Sequence, residues 1–114
     1  MPYRNFGPLQ RNAMRVIGIG TLTAFCGRVP ECKNWLGIWL ADMRGMQSPS
    51  FDLIKQRYTT ATQEARSIIF TFHTKEVQYF MKVQVAVNTG VLTIVWVGST
   101  TEYLIYKSEV SHGN

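Results

Sequence analysis

A carboxylate and a phenol stand side by side where the last strand of this sequence should end. Val97–Tyr103 reads V-G-S-T-T-E-Y, so a buried strand gives way to hydroxyls and then to Glu102 and Tyr103. In small α+β proteins a rigid sheet often aims such a short polar loop at a substrate. At neutral pH an unperturbed glutamate is ionised and a tyrosine is protonated, which suits Glu102 to accept a proton and Tyr103 to donate one. The alternative is that the Tyr103 ring packs on the core and Glu102 is a solvated loop charge.

Lys82 and Phe80 form a second candidate group. They alternate with apolar residues in Tyr79–Val87, so both fall on one face of that predicted strand. A cation beside an aromatic ring on an open sheet face can neutralise a phosphate and stack a base. The alternative role of Lys82 is to keep a half-exposed face soluble. His73 completes the candidate catalytic set because an imidazole can both accept and donate a proton, although a lone histidine at the end of a strand is often only a turn residue.

Three more cations flank the connector that precedes the predicted sheet, namely Lys55, Arg57 and Arg66. If they converge they form a basic rim for RNA, and if they do not they are helix-end charges. With Phe80 they are the candidate RNA-binding residues. The formal net charge of +5 permits a polyanionic partner without requiring one.

Several other classes of chemistry leave no motif here. The sequence has no Gly-rich phosphate loop, no Cys/His ligand set and no serine-nucleophile signature. Cys26 and Cys32 are too few for a disulfide framework or a zinc site, so we expect two free thiols, no metal and no cofactor. No secretory segment is present, and the apolar runs are far shorter than the roughly 20 residues that span a bilayer. We therefore expect a cytoplasmic protein without membrane association.

The 114 residues suit a single domain, since compact domains peak at about 100–150 residues. An apolar fraction of 46% and a charged fraction of 17% are typical of globular proteins. Met1–Ala13 is broken by proline, glycine and asparagine, and we predict a flexible tail there. The predicted domain covers residues 14–107, and residues 108–114 form a second flexible tail.

The first half of the predicted domain contains one strand and two or three helices. In order, we predict a short strand Arg15–Ile19, a helix capped by Thr21 and ended by Val29-Pro30, a helix from about Glu31 to Arg44, a helix Phe51–Arg57 opened by Ser48-Pro49, and a polar connector Thr59–Glu64. The second helix is the best defined. Its stripe at helical spacing consists of Cys32, Trp35, Leu36, Trp39, Leu40 and Met43.

Three consecutive strands follow, and they complete an α+β fold with a three-stranded antiparallel sheet. The strands are Ser67–Phe72, Tyr79–Val87 and Val91–Val97. In the second strand Met81, Val83, Val85 and Val87 form the core face, and the face with Phe80 and Lys82 is wet. Asn88-Thr89-Gly90 predicts a hairpin with Gly90 at a positive φ. Val91–Val97 is apolar on both faces, which predicts the central strand.

Several short sequence motifs occur along these elements in an informative order and spacing. They are Met14–Ile17 with Leu22 and Phe25 after it, Trp39, Ser48-Pro49 followed by Asp52–Lys55, Ile69-Phe70, Tyr79 ahead of Val83–Val85, and Val97–Ser99 leading to Glu102-Tyr103. From Met14 to Tyr103 this pattern resembles the HigB family of toxins from bacterial type II toxin–antitoxin modules. The resemblance implies a RelE-like fold, metal-independent endonucleolytic cleavage of mRNA, often on the ribosome, and a helix-turn-helix antitoxin as partner.

The sequence departs from that family pattern at four places. Phe72–Val77 replaces a Gly-Gly-Asn turn, Phe80 replaces an arginine, Thr100 replaces a histidine, and Leu104 replaces an acidic residue. A phosphate-binding cation and a proton-transfer group are thus missing from their expected positions.

Three interpretations remain open. The chain is a HigB-like endoribonuclease, or a catalytically degenerate relative that binds RNA or protein without cleavage, or a protein of similar architecture whose concave face binds a small molecule. The first requires Lys82, Glu102 and Tyr103 to face a common hollow.

Overall fold

The computed structural model describes residues 14–47 and 50–112, so the predicted tail Met1–Ala13 and the pair Ser48-Pro49 lie outside the described residues. The strands are β1 (Arg15–Ile17), β2 (Thr62–Glu64), β3 (Ser67–Thr74), β4 (Val77–Ala86) and β5 (Val91–Ser99). The α-helices are α1 (Ile19–Arg28), α2 (Lys33–Gly45), α3 (Phe51–Arg57) and α4 (Thr100–His112), and a 3-10 turn at Pro30–Cys32 joins α1 to α2.

The strands form one mixed sheet in the order β1-β5-β4-β3-β2, in which β1 runs parallel to β5 and the other pairs are antiparallel. The predicted RelE-like arrangement, with a three-stranded antiparallel sheet after two or three helices, is therefore wrong. The described chain has five strands and four α-helices. The central strand is β4, whereas Val91–Val97 was expected at the centre.

The first strand joins the sheet through β5, with Arg15 opposite Val91 and Ile17 opposite Thr93. Gly18 then turns the chain directly into α1 with a φ of 90°. A Cβ atom at this position would lie 2.7 Å from the carbonyl oxygen of Ile94, so only glycine fits. Gly18, rather than the predicted Thr21, is the N-cap residue of α1. No side chain caps this end of the helix.

The other edge strand, β2, lies in the segment predicted as a connector. Thr62–Glu64 pairs with Ser67–Ile69 across a tight turn in which Ala65 has a φ of 53°. Threonine favours extended backbone, and three residues make a short edge of the kind that limits unwanted pairing. The polar composition that predicted a loop is the composition of an exposed edge strand.

The main core lies between one face of the sheet and helices α1 to α3. The predicted stripe of α2 is confirmed at its centre, since Leu36, Trp39 and Met43 are buried. The ring of Trp39 packs edge-on against Phe70 of β3 at a centroid distance of 5.4 Å. In β4, Tyr79, Met81 and Val83 are buried as the period of two predicts, whereas Val87 lies exposed beyond the end of the strand.

The hairpin between β4 and β5 has Gly90 at a φ of 68°, which confirms the predicted positive φ. The connection is one residue longer than predicted, because β4 ends at Ala86. Lys82 pairs with Trp96 and Val83 pairs with Ile94, so Val95 is an extra residue in β5. This bulge turns Trp96 to the same face as Lys82.

Helix α4 begins where a polar loop was predicted. The Ser99 hydroxyl accepts a hydrogen bond from the Glu102 N–H at 3.3 Å, and Glu102 Oε1 accepts one from the Ser99 N–H at 2.8 Å. This reciprocal arrangement is a capping box, and S-x-x-E is its sequence signature. The helix continues to His112, through residues that were predicted to form a tail.

Candidate functional site

Aromatic rings of α4 cover the sheet face that was predicted to be wet, which we call the outer face. Tyr103 stacks on Phe80 at a centroid distance of 4.4 Å, and Tyr106 stacks on Trp96 at 4.9 Å. Trp96 takes part because the bulge at Val95 turns it outward. These four rings fix α4 across β4 and β5, and they make the outer face an aromatic surface.

Two lysines border these rings. Lys82 Nζ lies 5.7 Å from the centroid of the Tyr106 ring, and Lys107 Nζ lies 5.4 Å from that of Tyr103. Both distances fit cation–π contacts. Lys82 thus occupies the face predicted for it, but its neighbouring Phe80 ring is covered by Tyr103 and is not an open stacking platform.

A cavity of about 220 Å³ opens between the C-terminal end of α1, the end of β5 and α4. We call it the Arg28–Glu102 cavity. Its lining is Arg28, Trp96, Val97, Glu102, Ile105, Tyr106 and Glu109. Arg28 Nη1 lies 3.3 Å from Glu102 Oε2, and the two side chains are 60% and 43% exposed, so both charged groups face solvent.

The pKa of Glu102 is lowered below its usual 4.5, chiefly by the hydrogen bond from the backbone N–H of Ser99, with a further contribution from Arg28, although partial burial opposes the shift. Glu102 is therefore fully ionised at neutral pH. A lower pKa also makes a carboxylate a weaker proton acceptor.

This shift predicts a specific pH dependence of stability. Because the pKa of Glu102 is lower in the folded chain than in the unfolded one, its ionisation stabilises the fold above about pH 4.5, and this contribution disappears as the pH falls further. When the pH falls from neutral to about 3, we expect the free energy of unfolding to drop less in Glu102→Gln than in the unchanged protein. The two drops should differ by less than about 1 kcal/mol, because the group is half exposed. Urea unfolding across this range measures it. Equal acid sensitivity in both proteins would contradict the expectation.

Tyr103 does not share the cavity with Glu102, so the common hollow expected for Lys82, Glu102 and Tyr103 is not formed. The Tyr103 side chain lies in the aromatic cluster and is 8% exposed. Burial raises its pKa, and the nearby Glu64 and Tyr106 raise it further. The packing role considered for Tyr103 thus describes its position, and Tyr106 is the phenol that lines the cavity. Tyr106 also connects Lys82 to the cavity, since the Lys82 ammonium lies over the same ring.

His73 lies apart from the cavity lining. It is exposed near the end of β3, opposite Gln78 of β4. The Gln78 carbonyl accepts a hydrogen bond from the Thr100 hydroxyl, so His73 is at the sheet end from which α4 starts. The structure brings it near the beginning of that helix but not into contact with the Arg28–Glu102 pair.

The three flanking cations do not converge. Lys55 donates a hydrogen bond to the Ala61 carbonyl at 2.8 Å, and Arg57 forms an ion pair with Asp42 at 3.3 Å. Asp42 also accepts a hydrogen bond from Tyr58, whose pKa is raised by burial and by that contact. Lys55 and Arg57 therefore hold α3 in place, while Arg66 stands at the turn between β2 and β3.

Five residues of the cavity lining were not identified from the sequence, namely Arg28, Trp96, Ile105, Tyr106 and Glu109. Arg28 and Glu102 are 74 positions apart, so no local pattern could pair them. The capping signature at Ser99 could have indicated a helix and hence the positions of Tyr103 and Tyr106.

No protein-family model matches the chain, and no curated protein matches it significantly. Within residues 14–47 and 50–112, no three His, Cys, Asp or Glu side chains lie together as a metal site would require. In that same part of the chain, every helix is too short or too polar to cross a membrane. The HigB resemblance therefore stays a prediction based on the residues quoted for it.

Proposed function

We propose that the chain acts on mRNA as a HigB-like toxin and that the Arg28–Glu102 cavity is its RNA site. One observation carries the proposal: an ionised carboxylate lies 3.3 Å from a guanidinium in an open cavity walled by Trp96 and Tyr106. RNA recognition and cleavage require an anion-binding group and a proton acceptor, and aromatic side chains commonly wall such sites.

Cleavage of RNA without a metal needs a base for the 2′-hydroxyl, a cation for the phosphate and an acid for the departing oxygen. In this proposal Glu102 takes the proton of the 2′-hydroxyl and the 2′-oxygen attacks phosphorus. Arg28 stabilises the charge on the phosphate, in place of the cation missing at Phe80. The bond to the 5′-oxygen breaks, and that oxygen takes a proton from Tyr106. Trp96, whose ring is stacked on Tyr106, forms the cavity wall beside the reacting phosphate.

Binding without cleavage is the second candidate function, and a specific observation favours it. The Glu102 carboxylate already accepts the Ser99 N–H and pairs with Arg28, and its lowered pKa weakens it as a base. Tyr103, the tyrosine that belongs to the HigB-like pattern, is buried. A degenerate relative would keep the RNA-binding surface and lose the reaction.

Glu102→Gln separates the two functions. Glutamine can still accept the Ser99 N–H in a capping box, so α4 keeps its cap while the base is removed. After induced expression in cells, new RNA ends should fall by about a hundredfold relative to the unchanged protein. Glu76→Gln removes one negative charge from an exposed turn outside the cavity and is the matched control, expected to cleave normally.

The outcomes differ for each function. New RNA ends that depend on Glu102 support the enzyme. RNA binding by the purified protein without new ends supports the non-catalytic relative. A folded protein that neither binds RNA nor slows growth contradicts both.

The same resemblance makes a helix-turn-helix antitoxin the proposed protein partner, and mRNA, free or on the ribosome, the proposed substrate in the cytoplasm. If the adjacent reading frame encodes such a protein, its co-expression should restore growth. Persistent growth arrest with an expressed, folded antitoxin would remove it as the partner.

A further inference from the structure

A second and larger cavity, of about 630 Å³, lies at the opposite end of the outer face. We call it the hairpin cavity because the β4–β5 hairpin forms much of its wall. Its polar lining is Arg66, Gln84, Asn88, Thr89 and Thr93. Its volume falls in the range of about 300–1,000 Å³ that is typical of small-molecule sites.

Arg66 gives this cavity its charge. Its backbone carbonyl accepts the N–H of Val85 at 2.9 Å, which fixes the turn between β2 and β3 against β4. The Arg66 side chain is exposed and forms no ion pair with any described residue. An exposed guanidinium that is not held in an ion pair can make two parallel hydrogen bonds to a phosphate.

The rest of the lining can bind the other parts of a nucleotide. The carboxamides of Gln84 and Asn88 each donate and accept hydrogen bonds, as do the hydroxyls of Thr89 and Thr93. Base edges and ribose hydroxyls also present both donors and acceptors. An apolar ligand would leave most of these groups unpaired.

The two cavities are connected along β4. Phe80, Lys82 and Gln84 point to the same face because they alternate along the strand. The four steps from Phe80 to Gln84 span about 13 Å, at about 3.3 Å per residue. Lys82 lies between, paired with Trp96 of the Arg28–Glu102 cavity, and Gln84 pairs with Thr93 of the hairpin cavity. Lys82 thus lies on β4 between Phe80 and Gln84, on the strand face that joins the two cavities.

We infer that the hairpin cavity is a second nucleotide subsite, which holds another unit of the same single-stranded RNA several nucleotides from the one at Arg28–Glu102. This inference rests on the proposed function. Arg66 contacts a phosphate, Lys82 contacts a phosphate between the cavities, and Gln84 and Asn88 bind a base or ribose. A single strand fits better than a duplex because its bases can turn into separate cavities.

The test is the dependence of affinity on RNA length. Fluorescence anisotropy is measured with labelled single-stranded RNA of about 2 to 12 nucleotides. Arg66→Gln should lower the affinity for long oligonucleotides about tenfold and reduce the slope of log affinity against log salt by about 0.7. Oligonucleotides too short to reach Arg66 should bind to this variant and to the unchanged protein equally well. The matched control is Arg44→Gln, which removes an exposed arginine from α2 on the opposite side of the sheet.

Gln84→Ala provides an independent second variant, because it changes an exposed strand residue without changing the charge. It should also weaken only the long oligonucleotides, with an unchanged salt slope. A mononucleotide titration tests the other source of the same chemistry. Tight mononucleotide binding that Arg66→Gln abolishes, without any length dependence for RNA, would assign the cavity to a free nucleotide and overturn the inference.

Two further results would also overturn the inference that the hairpin cavity is a second nucleotide subsite. One is equal binding by Arg66→Gln and Arg44→Gln at every length, and the other is an equal loss for short and long RNA. In either case, cleavage that still depends on Glu102 leaves the proposed function intact. Failure of the unchanged protein to bind any single-stranded RNA would overturn this inference, and if its expression also left growth unchanged the proposed function would fall with it.

Discussion

Trp39→Ala should lower the free energy of unfolding by about 3–5 kcal/mol, the range for truncation of a large buried aromatic residue. Trp39 is fully buried in α2 and packs edge-on against Phe70 of β3. Its removal leaves a cavity between helix and sheet that rigid neighbours cannot fill. Urea unfolding of both proteins, followed by far-UV circular dichroism, measures the difference.

Trp39→Phe tests the reason for that loss. Among the described residues the Nε1 atom of Trp39 has no hydrogen-bond partner. Phenylalanine removes this unsatisfied group, whose burial costs about 1–3 kcal/mol, and keeps much of the ring. We therefore expect Trp39→Phe to be far less destabilising than Trp39→Ala. Ile38→Ala, at the neighbouring residue that is 56% exposed, is the control and should change stability little. A loss below about 1 kcal/mol for Trp39→Ala would show that α2 does not belong to the cooperative core.

Gly18→Ala should destabilise the fold by about 3 kcal/mol, since two costs combine. Gly18 has a φ of 90°, a backbone conformation that is strained for alanine. Its new Cβ atom would also lie 2.7 Å from the carbonyl oxygen of Ile94 and 3.2 Å from its nitrogen. These are backbone atoms of a paired strand, so they cannot move aside without disturbing the β1–β5 pair.

Gly37→Ala is the matched control for Gly18 because the same atom is added where space is free. No atom lies within 4 Å of a Cβ built at Gly37, which is in the interior of α2. Alanine is the better helix former there, so this variant should gain up to about 1 kcal/mol. Thermal and urea unfolding of the two variants should therefore shift in opposite directions. A neutral Gly18→Ala would mean that the junction of β1 and α1 relaxes freely.

Elements with a strong local period were predictable from the sequence. The stripe of α2 and the alternation in β4 follow from residues three, four or two positions apart, and burial in the structure agrees with both. The parallel β1–β5 pair was not predictable in this way, because nothing near Arg15 encodes Val91 as its partner. Helix α4 was not predicted because its four consecutive large side chains, Tyr103–Tyr106, leave no recognisable apolar stripe at helical spacing.

The candidate site was predictable in part for the same physical reason. Glu102 and Lys82 were recognised from their types and from the strands beside them. The partner of Glu102 depends on the tertiary fold, since Arg28 comes from the end of a distant helix. The choice between Tyr103 and Tyr106 depends on the phase of α4, which a loop prediction does not provide.

The parallel pairing of β1 with β5 also determines when this sheet can be completed. Arg15 donates its N–H to the Gly90 carbonyl, and α1, α2, α3, β2, β3 and β4 all lie between these partners in the sequence. During synthesis β1 leaves the ribosome before β5, so it must wait for β5 before the two strands can pair. Contacts this distant along the chain carry the full entropic cost of closing the intervening loop, and they slow folding. The sheet can thus be completed only after β5 has been made, although β1 precedes all its other strands.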